Sequence, residues 1–132
     1  MKMNVVLLLG LVITSLASTA SAIAGTATYY TVYVPSACYG NSQQGTLIAA
    51  ANPSLYNNGA ACGRMYRVTC TGGTNNIPTP CRGGSVTVKI VDLCLGCLAN
   101  RLYLSQEAFS QIANPDAGRV KIDFTPYDPI YT

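Results

Sequence analysis

Asp92, Glu107, Asp116, Asp123 and Asp128 are the carboxylates of this chain, and there are no others. Their number matters because hydrolysis of a glycosidic bond normally needs two flanking carboxylates, one as acid and one as base or nucleophile. Asp116 falls in a turn, Asp128 in a Pro-rich tail, Glu107 at a helix start, and Asp123 on the polar side of a strand. Asp92 is different, because it directly follows the apolar run 86–91 and precedes Leu93-Cys94. A carboxylate at a strand end beside a surface groove is partly desolvated and suited to bind a ligand. The competing reading, of equal weight, is that it accepts hydrogen bonds from the backbone of the following loop.

Other chemistry is narrowed by what the chain lacks. Histidine is absent, which excludes Ser-His-Asp and Cys-His catalysis and removes the commonest metal ligand. Cys94-Leu95-Gly96-Cys97 has the spacing of half a zinc site, but no second close pair completes it, since Cys70 and Cys81 stand far apart. A thioredoxin-like role would need a strand feeding a helix in a parallel sheet. The plainer reading is a disulfide clamping a loop. Gly72-Gly73 and Gly83-Gly84 are turn glycines, because neither pair is followed by the Lys and helix of a phosphate cradle. No cofactor and no metal is expected.

The elements that hold these residues begin after a leader. Lys2 precedes the apolar run 5–12, and small residues then lead to Ala20-Ser21-Ala22. That is the pattern of a secretory signal with an AxA-like cleavage site, and Thr14, Ser15, Ser18 and Thr19 argue against a membrane span. The expected division is a signal peptide over 1–22 and one domain over 23–132, with cleavage after Ala24 the second choice. The exported portion keeps seven Lys and Arg against five Asp and Glu, too mild a balance to argue for nucleic acid or an anionic membrane. So small a domain needs staples, and Cys38, Cys62, Cys70, Cys81, Cys94 and Cys97 supply three disulfides in an oxidising compartment. Six cysteines allow 15 pairings.

Short alternation bounded by turn residues is the dominant pattern, which is the strand signal. In 85–91, Val86, Val88 and Ile90 share one face; in 119–125, Val120, Ile122 and Phe124 do. The Thr-, Tyr- and Val-rich stretch 25–34 reads as a strand, and 46–50 and 64–69 are further candidates. A helix over 105–113 is marked by Ser105 as cap, Glu107 in the first turn and the stripe Ala108, Phe109, Ile112. The cysteine-anchored segments 36–45 and 71–84 read as stapled loops. Many short strands with one helix favour a small closed barrel, which removes exposed edges; an open sandwich is the alternative.

Four runs of sequence then carry a resemblance: Ser36-Ala37-Cys38-Tyr39-Gly40; Gly59-Ala60-Ala61-Cys62-Gly63-Arg64-Met65-Tyr66-Arg67-Val68-Thr69-Cys70; Val88-Lys89-Ile90-Val91-Asp92-Leu93-Cys94; and Leu104-Ser105 through Ala108-Phe109 to Ile112-Ala113-Asn114. The chain resembles the plant natriuretic peptide proteins, also described as endoglucanase-like domain proteins. These are relatives of the first domain of expansins, of family-45 endoglucanases and, more distantly, of barwin. The resemblance implies an all-β fold with a small helix, a six-stranded double-psi β-barrel, and secretion to the apoplast. It also implies a role in water and solute homeostasis and the disulfides Cys38–Cys62, Cys70–Cys81 and Cys94–Cys97. Met65 falls where some expansins carry a further cysteine.

The expansin-like groove implies Thr28 on the first strand and Asp92 after the central strand. The position eleven residues later, an Asp in a Leu-Asp-Leu-Ser setting, is here Tyr103 in Leu102-Tyr103-Leu104-Ser105. A phenol is a far weaker acid than a carboxylic acid, so the general acid of the hydrolases is missing and no enzymatic activity is expected. Two functions follow as expectations. One is a natriuretic-type signal acting on a cell-surface receptor through segment 35–68, with Tyr39, Tyr56, Arg64 and Arg67 as contacts, since hot spots favour Tyr and Arg. The other is a cell-wall polysaccharide binder using Thr28, Tyr30, Asp92 and Tyr103. A monomer is expected in either case.

Overall fold

The structure is a computed structural model that describes residues 21–128. The leader assigned to 1–22 therefore lies, but for its last two residues, outside the described residues. Six strands close into a ring: β1 (Ile23–Tyr30), β2 (Ile48–Ala51), β3 (Met65–Gly73), β4 (Val86–Leu93), β5 (Arg101–Ser105) and β6 (Val120–Tyr127). The order around the barrel is β1-β5-β2-β4-β3-β6. Pairs β1/β5 and β2/β4 are parallel and the other four antiparallel. The fold is the all-β double-psi barrel, with two helices, α1 (Pro53–Tyr56) and α2 (Gln106–Ile112), outside the ring of strands.

Alternation decides which side chains fill the barrel. Val86, Val88 and Ile90 of β4, Val120, Ile122 and Phe124 of β6, and Leu102 and Leu104 of β5 are all buried in one cluster. Phe109 of α2 closes it, its ring 4.9 Å from that of Tyr29, while Tyr66 meets Phe124 edge-on at 5.7 Å. Burying a ring the size of Phe109 contributes roughly 2–3 kcal/mol. In β2, flanked by β5 and β4, all four residues are buried. Val91 points away from the barrel interior yet is buried too, because loop 36–40 lies over it and the Cys38 amide donates to its carbonyl at 3.0 Å.

Three differences from the sequence reading have physical causes. The first strand stops at Tyr30 rather than Val34, because its partner β5 ends at Ser105, opposite Tyr30, where α2 begins. Strand β5 was not foreseen: its alternation, Leu102 and Leu104 in and Arg101 and Tyr103 out, covers only five residues. Strand β3 runs on to Gly73 through a register shift between Cys70 and Gly72, where sequence had read a loop.

Helix α2 is capped as its sequence suggests, with Ser105 Oγ accepting from the Ala108 amide at 3.1 Å. The same hydroxyl donates to the Thr46 carbonyl, tying the helix to the approach to β2. At Gly25 a Cβ would lie 1.9 Å from the Asn100 carbonyl oxygen, so only glycine lets β1 run this close to the start of β5.

Candidate functional site

The strand registers bring four residues far apart in sequence into a single row. Thr28 pairs with Tyr103, Tyr103 with Ala50, and Ala50 with Asp92. The row crosses β1, β5, β2 and the end of β4, about 14 Å at the usual spacing of neighbouring strands. Ala50, the smallest side chain of the row, is buried between Tyr103 and Asp92. Tyr30, two residues beyond Thr28 on the same face, brings its ring to 6.3 Å from that of Tyr103. Both rings pack against the small buried cluster of Ala50, Cys94 and Cys97. The Cys94–Cys97 disulfide thus forms part of the groove wall.

The structure shows Asp92 as an acceptor of backbone amides. Its Oδ1 accepts from the Leu93 amide and from the Ala37 amide, each at 2.9 Å, so it fastens loop 36–40 to the end of β4. Among the described residues no hydrogen bond reaches Oδ2. Two further polar atoms beneath the groove surface are buried without a partner: Thr28 Oγ1 and the Tyr30 hydroxyl. Burial foremost, then the negative charge of Asp92, then Tyr33, pushes the Tyr30 phenol well above the ordinary phenol range. It is a neutral O–H donor at any physiological pH.

Two members of the site were not foreseen. Tyr33 sets its ring edge-on to Tyr30 at 5.2 Å; its hydroxyl donates to the Glu107 carboxylate and accepts from the Gln106 amide at 3.2 Å. Burial and the bond to Glu107 raise this phenol as well. Reading 25–34 as one unbroken strand placed Tyr33 on the face away from Tyr30, which hid the contact. The chain's leaving β1 at Tyr30 turns Tyr33 back toward the groove and links it to α2.

The proposed signalling residues are distributed differently. Cys38–Cys62 closes their segment, and the Lys89 ammonium stands 5.2 Å from the centre of the Tyr39 ring. Tyr56 is turned in against the core, its hydroxyl 3.7 Å from the Cys62 sulfur. Arg64 and Arg67 are exposed, and the Arg67 guanidinium lies 4.9 Å from the centre of the Tyr127 ring on β6. Cys70–Cys81 staples the 71–84 loop on β3. Among the described residues no group of three His, Cys, Asp or Glu side chains could hold a metal ion, and no helix is long and apolar enough to cross a membrane.

Comparison with known proteins agrees with this geometry. A double-psi barrel family model, described as lytic transglycolase, matches residues 48–124. An EG45-like domain containing protein of Citrus jambhiri is 61% identical over 122 residues, covering 86% of this chain and 92% of that one. Expansin-B4 of Arabidopsis thaliana is 33% identical over 89 residues, 59% of this chain and 32% of its own length. Among solved structures, the expansin of Clavibacter michiganensis superposes with a TM-score of 0.68 at 26% identity over 83% of this chain, which spans about half (52%) of that protein. A point mutant of the same expansin has been solved in complex with cellohexaose. Barrel topology, groove and relatives together place the chain in the family of EG45-like domain proteins, an expansin-like branch of the double-psi β-barrels.

Proposed function

We propose that this is a secreted, monomeric wall protein of the apoplast whose groove binds a β-linked glucan chain without cleaving it. The observation that carries the reading is the row of Thr28, Tyr103, Ala50 and Asp92 on one face of the barrel, flanked by the Tyr30 ring and ending in the open Oδ2 of Asp92. Asp92 Oδ2 can accept from a sugar hydroxyl, and because a buried polar atom without a partner is costly, a turn of the Tyr30 side chain toward the ligand would relieve its hydroxyl as well. The Tyr30 and Tyr103 rings supply apolar faces for the sugar rings. The cellohexaose complex of the bacterial expansin lends the chemical class. Tyr103, at the position where the resemblance implies a second carboxylate, supports binding in place of hydrolysis.

Calorimetry with cellohexaose, alongside a reducing-sugar assay on soluble glucan, tests this directly. Binding with no release of reducing ends is the expected result. Absence of binding sinks the reading, and release of reducing ends that vanishes in Asp92→Asn would make the protein an endoglucanase.

Natriuretic-type signalling in water and solute homeostasis is a second reading, favoured by one observation. The Cys38–Cys62 staple and the Asp92-to-Ala37 hydrogen bond hold segment 36–62 in a fixed shape that a cell-surface receptor could read. Oxidised protein is then expected to change protoplast volume, and to do so equally as the groove variant Tyr30→Phe. No change in volume ends that reading.

A further inference from the structure

The strand facing the groove from across the barrel is β3, which stands opposite β5 in the ring. The wall it forms with β4 and β6 has a different character from the groove. Tyr66, Val68, Val88 and Phe124 point inward and are buried, so alternation sends their neighbours outward. Register then sets Lys89 beside Met65, Met65 beside Tyr127, and Arg67 between Thr87 and Thr125. Lys121 follows farther along β6, opposite Gly72, and exposed Arg64 precedes β3. The acids on this side are Asp123, opposite Thr69, and Asp128 just past β6. On the groove side acids and cations are more evenly matched: Asp92 at the end of β4 and Glu107 on α2 stand against Arg101, which donates to Thr26 at 3.2 Å, and Arg82, which donates to the Ser110 carbonyl of α2.

Two of the cations on this wall are held in place. Arg67 lies over the Tyr127 ring and Lys89 over the Tyr39 ring, with the Lys89 ammonium also donating to the Gln44 amide oxygen. A guanidinium carries five N–H donors and an ammonium three, so both retain donors for an external acceptor. Side chains already ordered on aromatic rings lose less entropy when they engage one. Cross-strand neighbours on one face sit a few ångströms apart, so the cations form a band of spaced positive charge interleaved with the hydroxyls of Thr87 and Thr125.

We infer that this β4-β3-β6 wall, centred on β3 and adjoining the groove only at β4, is a second binding surface that docks a carboxylate-bearing polysaccharide of the polyuronate type. Charge complementarity selects a polyanion. The choice of a polysaccharide over an acidic protein rests on where the apolar side chains are. Protein interfaces need desolvated apolar or aromatic anchors at their centre, whereas here the rings lie beneath cations. The most exposed apolar residues, Leu95 at 80%, Val32 at 76% and Leu98 at 66%, belong to the loops that adjoin groove residues Tyr30, Tyr33, Cys94 and Cys97. A hydrated, charged chain suits the β3 wall better than a folded partner does.

The test is retention of the oxidised protein on immobilised polygalacturonate, on its fully methyl-esterified form, and on polyglutamate. Retention on polygalacturonate at low ionic strength is expected, with release as salt rises well past roughly 0.1 M and screening sets in. The double variant Arg67→Gln/Lys89→Gln should bind about fivefold more weakly, with unchanged cellohexaose affinity and a melting temperature lowered by only a few degrees as the two ring contacts are lost. Arg67→Gln alone, which leaves the Tyr39 contact untouched, should show a smaller loss of the same kind. Asp92→Asn should bind polygalacturonate as the parent does. Equal retention on the methyl ester, an unaffected double variant, loss of binding in Asp92→Asn, or a preference for polyglutamate would each overturn the inference.

Discussion

Replacing Tyr30 with Phe should make this protein more stable and a poorer binder at the same time. The substitution removes one oxygen and leaves the ring, so the contacts to Tyr33 at 5.2 Å and Tyr103 at 6.3 Å persist. The oxygen removed is buried and unpartnered. Leaving such a hydroxyl unsatisfied costs about 1–3 kcal/mol, and taking the lower end, the free protein should gain about 1 kcal/mol. In a domain of this size that raises the melting temperature by roughly 5 °C. Glucan binding that turns the Tyr30 side chain outward would bring the same hydroxyl to a sugar oxygen, and a neutral hydrogen bond of about 1 kcal/mol corresponds to roughly a fivefold loss of cellohexaose affinity.

High pH provides an independent check on the same oxygen. Because the folded state holds the Tyr30 proton more tightly than an unfolded chain would, the unfolded state binds fewer protons once pH exceeds the ordinary phenol value of about 10. Stability contributed by this group is therefore complete below pH 10 and falls as pH rises above it. Calorimetric melts should show a steeper alkaline decline in the parent than in Tyr30→Phe. A lower melting temperature in the variant, with cellohexaose affinity unchanged, would refute the reasoning, since it would mean that the fold satisfies the hydroxyl and the ligand does not use it.

Asp92→Asn keeps an oxygen able to accept from the Ala37 and Leu93 amides, so its melting temperature should stay near that of the parent. Loss of the charged acceptor should still weaken glucan binding about tenfold by calorimetry; Asp92→Ala, which strands both amides, should destabilise by about 1–3 kcal/mol. Removing the Cys38–Cys62 bridge with paired Ser substitutions frees a loop of sequence separation 24 and should cost about 3 kcal/mol in chemical denaturation, with protoplast activity lost before groove binding. N-terminal sequencing of exported protein should begin at Ile23, because β1 pairs Ile23 with Phe124 and Ala24 with Asp123. Processing after Ala24 would discard both pairs, and a start at Gly25 would count against cleavage after Ala22.

What sequence could and could not disclose follows from the range of the interactions involved. Val86, Val88 and Ile90, and Val120, Ile122 and Phe124, announce themselves because burial on one face of a strand imposes a period of two on neighbouring residues. The cap of α2 is equally local, since Ser105 Oγ meets an amide three residues on. The row Thr28-Tyr103-Ala50-Asp92 has no such signature. It exists only because two parallel and one antiparallel pairing line up registers separated by as many as 75 residues, and no periodicity in the chain encodes that alignment. The family resemblance supplied Thr28, Asp92 and Tyr103 by position, but it could not show that Ala50 completes the row or that Cys94 and Cys97 pack on its small side chain. Tyr33 and Glu107 escaped for a further reason: their contact depends on where β1 stops. That point is fixed by the partner strand ending at Ser105, and residues 25–34, read alone, carry strand character throughout. The β4-β3-β6 wall lies between these extremes. Each of its cations is visible in the sequence as an ordinary charged residue, and only the closed ring gathers Lys89, Arg67 and Lys121 from three strands onto one wall. The two proposed binding surfaces adjoin on β4, where Lys89 stands three residues before Asp92, and they are separated by substitutions away from that strand, Arg67 on β3 and Tyr30 on β1.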